Sequence, residues 1–265
     1  MPMPLVDAVI TAGGIPKPDE PLYPLTQGRS KALLDIAGQP MIQWVLDALS
    51  EAQTIRRVVV IGLDEHSVPL HCRKTIGFLP NQGDMLANIE TGVRWIIDQD
   101  GSAKYALIVS SDLPTLVPAA VDWIVETALR TEHEAYYPVI PQAEMERRFP
   151  GSRRSYFHFK DGTFTGGDVP LVATELIAHV PREMKDLVTA RKNIFRQASI
   201  IGLDTLLLFA ARRLSTEDVA RVCSQRLRVS ARVLICPYAE AVMDVDKPAQ
   251  YELLKRDLES RRQTR

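Results

Sequence analysis

The stretch Val6-Asp7-Ala8-Val9-Ile10-Thr11-Ala12-Gly13-Gly14 joins an apolar, β-branched run to a turn of small residues. An apolar run of this length predicts a buried strand. The glycines that follow it leave backbone N–H groups open, so that a phosphate group can approach them. The same pattern is also typical of an ordinary tight turn, so the stretch alone leaves both interpretations open.

Around this stretch, the first 130 residues alternate apolar β-rich runs with helical patterns. Strands are predicted at Val6–Thr11, Arg57–Ile61 and Tyr105–Ser110, and helices near Met41–Glu51, Met85–Ile97 and Pro118–Arg130. This alternation predicts an α/β fold, a Rossmann-like, mostly parallel sheet with helices on both faces. Ligands of such sheets bind at the carboxyl ends of the strands, where Gly13 and Asp112 would meet.

The composition, with 46% hydrophobic and 25% charged residues, is typical of a globular protein, and 265 residues suffice for one large α/β domain. The net charge of −1 gives no reason to expect a nucleic acid or an anionic membrane as partner. No apolar run is long enough to span a bilayer, so integral membrane association is not expected. Cys72, Cys223 and Cys236 form neither a disulfide framework nor a Cys-x-x-Cys site, which predicts a protein of the reducing cytoplasm.

After residue 130 the alternation weakens. Strands are predicted at Ala135–Val139, Tyr156–Phe159 and Arg228–Ile235, a hairpin turn at Lys160–Thr163, and a final amphipathic helix at Lys247–Arg262. Residues 180–227 are predicted to form a C-terminal helical insertion within a single domain that covers residues 1–265. Inside it, Ser215-Thr216-Glu217-Asp218 fits the capping box that starts a helix.

The insertion carries one apolar stripe at helical spacing, formed by Ile200, Leu203, Leu207, Ala211 and Leu214. Ile201 and Leu208 lie outside this stripe. Either a neighbouring helix of the insertion covers them, or they contact a second protomer or an apolar part of a substrate. A homodimer is therefore one of the alternatives that the sequence leaves open.

The segment Lys31-Ala32-Leu33-Leu34-Asp35-Ile36-Ala37-Gly38-Gln39-Pro40-Met41-Ile42 follows the glycine turn after a long loop. Ala-Gly-Gly, a loop, and then Lys-x-Leu-x-x-x-x-Gly-x-Pro-Met-Ile resembles the signature of nucleotidyltransferases with a MobA-like NTP-transferase domain. These are relatives of sugar-phosphate nucleotidylyltransferases and cytidylyltransferases. The resemblance implies a fold of the GT-A type, with an NTP and a small-molecule acceptor as partners.

The sequence departs from the family pattern in the loop between Gly14 and Lys31, which is long and rich in proline. The arginine that many relatives carry shortly after the glycines is absent, as is the proline just before the lysine. Lys17 and Arg29 are both candidates to take the place of that arginine.

The resemblance also implies a catalytic group that consists of Lys31 and Asp112, and a Mg²⁺ site at Asp112 and Asp246. Asp112 matches the family's Asp-x-Pro motif, although an aspartate here is also typical of a turn before Pro114. Asp246 matches the Asp-x-Asp-x-Pro that precedes the last helix, where an aspartate is also an ordinary helix N-cap. Carboxylate oxygens are ligands that Mg²⁺ prefers, and a lysine ammonium can offset charge on leaving pyrophosphate.

Further residues are implied for the two substrates. The predicted nucleotide-binding residues are Thr11, Ala12, Gly13, Gly14, Lys31, Asn81, Gly83 and Asp84. The predicted acceptor-binding residues are Gly166, Gly167 and Asp168, of which Asp168 stands where relatives have asparagine. A carboxylate there would repel an anionic acceptor unless it is paired. The alternative for the two glycines is a β-bulge.

The predicted function is Mg²⁺-dependent transfer of an NMP group from an NTP to a small phosphorylated or phosphonate acceptor, with release of pyrophosphate. One alternative is a sugar-nucleotide-dependent glycosyltransferase of GT-A type, because Asp244-x-Asp246 also spells that class's metal motif. Lys31 argues against it. Another alternative is a nucleotide-binding regulator that has lost turnover.

Overall fold

The computed structural model describes residues 5–64, 69–189 and 212–263. Its strands are β1 (Val6–Thr11), β2 (Asp35–Ile36), β3 (Gln39–Pro40), β4 (Ile55–Ile61), β5 (Thr75–Leu79), β6 (Tyr105–Ser110), β7 (Ala135–Pro141), β8 (Phe157–Phe159), β9 (Gly162–Gly166), β10 (Leu171–Ala173) and β11 (Ala231–Ile235). The α-helices among these residues are α1 (Tyr23–Thr26), α2 (Met41–Glu51), α3 (Met85–Gln99), α4 (Pro118–Ala128), α5 (Gln142–Arg148), α6 (Thr174–Ala178), α7 (Arg182–Thr189), α8 (Thr216–Leu227) and α9 (Pro248–Gln263).

One large sheet organises the chain. Within the described residues its strands follow the order β5-β4-β1-β6-β10-β7-β9-β8, and β11 pairs with β7. The half that contains β5, β4, β1 and β6 is parallel, whereas β10, β9 and β8 run antiparallel to their neighbours. Helices cover the sheet, which confirms the predicted Rossmann-like α/β fold.

β1 lies inside the parallel half of the sheet, between β4 and β6, and both of its faces are buried. Ala8, Val9 and Ile10 are fully buried, as expected for an apolar run covered by helices on both sides. Thr11 pairs with Ile61 of β4 and with Ser110 of β6, so the three strands end at the same edge. The turn at Gly13 and the segment at Asp112 therefore leave the sheet side by side.

The sequence predicted several elements with their observed bounds, including β1, α2 and β6. It missed β5, an edge strand whose residues are exposed or half-buried and whose pattern is interrupted by Gly77. A side chain at Gly77 would approach Trp95 Cζ2 to 2.7 Å, so packing accounts for the glycine. The short, mostly polar helix α5 was missed as well, because it has no apolar periodicity.

The predicted hairpin turn is confirmed, since β8 and β9 pair antiparallel across Lys160 and Asp161. The capping box is confirmed at the start of α8, where Ser215 Oγ accepts from the Asp218 N–H and Asp218 Oδ2 accepts from the Ser215 N–H. Ile201 and Leu208 lie outside the described residues. The boundaries of the insertion at residues 180–227, and the single domain at 1–265, stay predictions.

Among the described residues, no helix combines the length and the apolar character that crossing a membrane requires.

Candidate active site

The glycine turn after β1 packs directly against the end of β4. Gly62 has a φ of +106°, and a Cβ on it would lie 2.4 Å from Gly13 Cα. Only glycine is therefore compatible with this conformation and this approach. Gly62 was not among the predicted site residues, although a glycine that ends an apolar strand was a readable signal.

The loop that carries Lys31 is tied back to the turn by two hydrogen bonds. The Lys31 backbone N–H donates to Gly14 O at 2.9 Å, and Ser30 Oγ donates to Ala12 O at 3.2 Å. These contacts bring the lysine beside the strand ends even though the loop between them is long. They explain in physical terms why the Ala-Gly-Gly turn and the lysine belong to one site.

Lys31 Nζ lies between two carboxylates. It donates to Asp112 Oδ2 at 2.5 Å and to Asp246 Oδ1 at 2.7 Å. The second oxygen of Asp112 accepts from Ser110 Oγ at 2.5 Å, which fixes the carboxylate just past the end of β6. Three residues that are far apart in the sequence thus meet at one point, as the resemblance implied.

The same contacts set the charge states of the cluster. Burial alone would lower the pKa of the Lys31 ammonium, but the charges and hydrogen bonds of Asp112 and Asp246 outweigh burial and raise it. Burial alone would raise the pKa of Asp246, and here the Lys31 charge and hydrogen bond outweigh burial and lower it. Lys31 is therefore an ammonium ion and Asp246 a carboxylate at neutral pH.

Asp246 is held in place by backbone contacts on either side. The Val245 N–H donates to Asp112 O at 3.1 Å, which links the two aspartate segments directly. Gln250 Oε1 accepts from the N–H groups of Asp246 and Lys247, at 2.9 and 3.0 Å. Gln250 on α9 thus caps this helix start, while the Asp246 carboxylate contacts Lys31. The sequence carried no readable signal for Gln250.

Asn81 forms one wall of the site. Its Nδ2 donates to Gly13 O at 3.1 Å, and its Oδ1 accepts from the Gly83 N–H and from Asn88 Nδ2, both at 3.0 Å. A Cβ on Gly13 would lie 2.7 Å from this side chain. Asp84 Oδ1 accepts from the Ala87 N–H at 3.0 Å and thereby caps α3.

These elements enclose a cavity of about 420 Å³. Its lining comprises Thr11, Gly13, Gly14, Lys31, Asn81, Gly83, Asp84, Met85, Asn88, Ser110, Ser111, Asp112 and Asp246. We call it the nucleotide cavity. Every predicted nucleotide-binding residue lines it except Ala12, which is fully buried behind the turn. Lys17 and Arg29 are exposed and do not line it, and Arg29 Nε donates to its own turn at Thr26 O.

A second cleft of about 310 Å³ adjoins the first, and Asp246 lines both. Its lining comprises Tyr137, Arg153, Arg154, Ser155, Phe157, Thr165, Gly166, Asp168, Asp244, Asp246, Lys247 and Gln250. We call it the acceptor cleft. It therefore contains two of the three predicted acceptor-binding residues. Gly167, the third, is buried against β7 and Val242.

The paired glycines of this cleft are required by packing. A Cβ on Gly166 would lie 2.5 Å from Tyr137 Oη, and one on Gly167 would lie 2.7 Å from Pro138 O. Their small size therefore lets the segment lie against β7 and delivers Asp168 to the end of β6. There the Ser110 N–H donates to Asp168 O at 3.4 Å.

Arg154 organises the polar side of the acceptor cleft. Its Nη1 contacts Asp244 Oδ1, and its Nη2 donates to Gly166 O at 3.3 Å. Asp168 Oδ2 lies 3.9 Å from Nη2, too far for a hydrogen bond. The sequence offered no pattern that singled out Arg154.

The family model of the MobA-like NTP transferase domain matches residues 8–150. The chain belongs to this family. A solved structure described as a hypothetical transferase from Thermus thermophilus is 30% identical, with 93% of this chain and 99% of that chain covered and a TM-score of 0.81. Proteins of curated function yield no match to the sequence.

Two more distant structures show the same fold. One is CMP:2-keto-3-deoxy-manno-octonic acid synthetase complexed with CTP, at 13% identity and a TM-score of 0.58, with 97% of this chain and 99% of that chain covered. The other is 2-C-methyl-D-erythritol 4-phosphate cytidylyltransferase, also from Thermus thermophilus, at 17% identity, the same coverage of both chains and a TM-score of 0.54. The present chain is a nucleotidyltransferase by its family, so the glycosyltransferase alternative loses its support.

In the acceptor cleft of this nucleotidyltransferase, burial outweighs the neighbouring positive charge and raises the pKa of two carboxyl groups. It raises the pKa of Asp168 to about 7, and the neighbouring Asp112 and Asp246 add to the shift, whereas Arg154 opposes it. Burial likewise raises the pKa of Asp244 to about 7, again against the effect of Arg154. The negative charges of Asp168 and Asp244 are therefore stabilised less by neighbouring cations than that of Asp246.

Asp112 and Asp246 are the residues that could hold a divalent cation. Both present carboxylate oxygens to the same point, where the Lys31 ammonium now lies, so the site already accommodates a positive charge. Two carboxylates plus phosphate oxygens and water form a typical Mg²⁺ set. Among residues 5–64, 69–189 and 212–263, no group of three or more His, Cys, Asp or Glu side chains could hold a metal ion. The donor set therefore suits an ion that arrives with a nucleotide.

Proposed function

We propose that this nucleotidyltransferase moves an NMP group from an NTP to a small phosphorylated or phosphonate acceptor, depends on Mg²⁺ and releases pyrophosphate. The observation that carries the proposal is the meeting of Lys31, Asp112 and Asp246 in the nucleotide cavity, where Asp246 forms the boundary with the adjoining acceptor cleft. A nucleotide in one cavity and an acceptor in the other would meet at this boundary, as an in-line transfer requires.

In the nucleotide cavity, the backbone of the turn at Gly13 and Gly14 would bind phosphate oxygens. Asp112 and Asp246 would hold the Mg²⁺ ion, which supplies charge neutralisation at the phosphates when bound. Lys31 would then exchange its carboxylate contacts for the phosphates and offset the charge that develops on leaving pyrophosphate. The ring of contacts around Asn81 would position the base.

The direct test is replacement of Asp112 by asparagine, which keeps the size of the side chain and removes its charge. We expect pyrophosphate release to fall by about 100-fold or more, as on removal of one electrostatic group at a reacting phosphate. The melting temperature of the free protein should stay the same, while the rise in melting temperature on NTP binding should no longer depend on Mg²⁺. Asp246→Asn should behave in the same way.

A matched control is Asp98→Asn, because Asp98 is an exposed aspartate near the end of α3 that lines neither cavity. It should leave turnover and the Mg²⁺ dependence unchanged. Full activity of Asp112→Asn, measured over a panel of NTPs and phosphorylated acceptors, would remove the metal assignment.

A further inference from the structure

Asp168 occupies a special position in the acceptor cleft. Its backbone C=O accepts a hydrogen bond from the N–H of Ser110, the last residue of β6, which precedes Asp112 by two residues. Its side chain lines the acceptor cleft, and Asp246 lines both this cleft and the nucleotide cavity. A group bound at Asp168 would therefore lie next to the phosphates that Asp112 and Asp246 are proposed to hold.

The carboxylate of Asp168 has no hydrogen-bond donor among the described residues. Oδ2 is shielded from solvent and unpaired there, with Arg154 Nη2 at 3.9 Å. The side chain as a whole is 39% exposed. Because Oδ2 is shielded, Oδ1 is the oxygen that can meet a ligand. A partly buried carboxylate without a donor is costly, and a hydroxyl group bound at Oδ1 would give it one hydrogen bond while Oδ2 stays shielded.

The charge at this position discriminates between two kinds of attacking group. A phosphate or phosphonate oxygen carries negative charge, and the nearby carboxylates of Asp168, Asp244 and Asp246 would repel it. A hydroxyl group is neutral and must lose a proton as it attacks, which a carboxylate can accept. Arg154, the cation nearest to Asp168, is already engaged by Asp244 and Gly166 O.

We propose that the acceptor attacks through a hydroxyl group, and that Asp168 is the catalytic residue that accepts its proton. This inference rests on the proposed nucleotidyl transfer and specifies its acceptor class, a hydroxylated compound. The phosphate or phosphonate group of that compound is a binding handle and not the nucleophile. Arg153 and Lys247, which line the same cleft, supply the positive charge for that handle.

The step is balanced as follows. A bond forms between the acceptor oxygen and the α-phosphorus of the NTP, and the bond from that phosphorus to the β-phosphate oxygen breaks. The proton of the hydroxyl group passes to Asp168 Oδ1, and pyrophosphate leaves with the electron pair of the broken bond. A phosphodiester is the product.

The acidity of Asp168 suits this role. Burial is the largest cause that raises its pKa, and burial persists when Mg²⁺ offsets the charges of Asp112 and Asp246. A general base works best when its pKa lies near the working pH, because it is then both largely ionised and able to hold a proton. An ordinary exposed aspartate would be a much weaker base.

The first test uses matched acceptors and the wild-type enzyme with Mg²⁺ and each NTP. Sugar phosphates and glycerol 3-phosphate carry both groups, whereas propyl phosphate and ethylphosphonate carry the anion alone. We expect pyrophosphate release only with hydroxylated acceptors. The ³¹P NMR spectrum of the product should show a phosphodiester resonance and no new coupled diphosphate pair.

The second test is Asp168→Asn, which keeps the shape and removes the base. We expect the turnover number to fall by about 100-fold, and the rise of the wild-type rate with pH that accompanies ionisation of Asp168 to disappear. The Michaelis constant for NTP and the shift in melting on Mg²⁺-NTP binding should stay unchanged, because Asp168 does not line the nucleotide cavity. Asp168→Glu should restore part of the turnover and of the pH dependence, which a merely structural role would not do.

A diphosphate-linked product, or an Asp168→Asn enzyme with the wild-type rate and pH profile, would overturn this inference and leave the proposed function intact. An enzyme that binds Mg²⁺-NTP but transfers to no acceptor of either kind would overturn the proposed function, and the inference with it.

Discussion

The nucleotide cavity and the acceptor cleft adjoin each other but differ in how their polar groups are satisfied. In the nucleotide cavity, Lys31 Nζ contacts two carboxylates and Asn81 makes three hydrogen bonds. In the acceptor cleft, Asp168 Oδ2 and Arg154 Nε are buried without hydrogen-bond partners among the described residues. One region has its polar groups paired before its ligand binds, whereas the other keeps buried polar atoms unpaired.

This difference follows the division of the chain by the family model. Residues 8–150 match it and supply most of the nucleotide cavity, whereas the acceptor cleft is built largely from residues beyond 150. Every NTP presents the same triphosphate, so its site can be preorganised and shared across a family. Acceptors differ, and specificity resides in polar groups that only the right ligand completes.

The largest expected effect in this comparison is that of Lys31→Ala. If the preorganised ammonium acts on charge that develops in the transition state, the turnover number should fall by about 100-fold, and more than the Michaelis constant for NTP rises. Steady-state kinetics of pyrophosphate release measure both. Lys17→Ala is the control, since Lys17 is exposed and does not line the nucleotide cavity. An effect confined to the Michaelis constant would instead make Lys31 a residue that binds the ground state.

The sequence predicted the nucleotide side of the molecule well for a physical reason. Its residues follow strands whose apolar runs are long, and the carboxyl ends of neighbouring parallel strands meet at one edge. Gly13 and Asp112 could therefore be placed together before any distance was known. Lys31 could be assigned to this site only through the family resemblance, because the contacts that bring it back to the turn, at Gly14 and Ser30, are not visible in the sequence.

The acceptor side could be predicted only in part. Asp168 was recognised by its position after Gly-Gly, but Arg154 was not, since it lies between short elements with no periodic pattern. Its partners Asp244 and Gly166 are 90 and 12 residues away in the sequence. Such pairings depend on strands from distant parts of the sequence that pair with β7, which a local pattern does not encode.

A smaller effect is expected from Asn81→Ala. The change removes the contact with Gly13 O and leaves the buried Asn88 Nδ2 without this acceptor. The nucleotide wall should loosen, and the Michaelis constant for NTP should rise by about 10-fold, as expected for the loss of about 1–2 kcal/mol of binding. The turnover number should change little. Gln82→Ala is the control, because that side chain donates to Pro80 O at 2.7 Å and, within the described part of the chain, to no other group. Equal effects of the two variants would mean that the wall is not preorganised by Asn81.

The smallest expected effect concerns the Asp168 carboxylate of the acceptor cleft. Its charge should lower the thermal stability of the protein measured without ligands. The folded-state pKa of Asp168 is raised to about 7 from an ordinary value of 3.8. Between about pH 4 and 7 the folded chain thus holds a proton that the unfolded chain has released, and the free energy of unfolding falls as pH rises through this window. Asp244 acts in the same direction.

Asp168→Asn should therefore raise the melting temperature at pH 8, while its effect should shrink as the pH falls below about 4, where the folded and the unfolded chain both hold the proton. Because the side chain is 39% exposed and solvent screens its charge, we expect a shift of only about 2–4 °C. Asp98→Asn should show no such pH dependence. A lower melting temperature of Asp168→Asn at pH 8 would mean that Arg154 already stabilises the carboxylate, and the contrast between the two regions would then disappear.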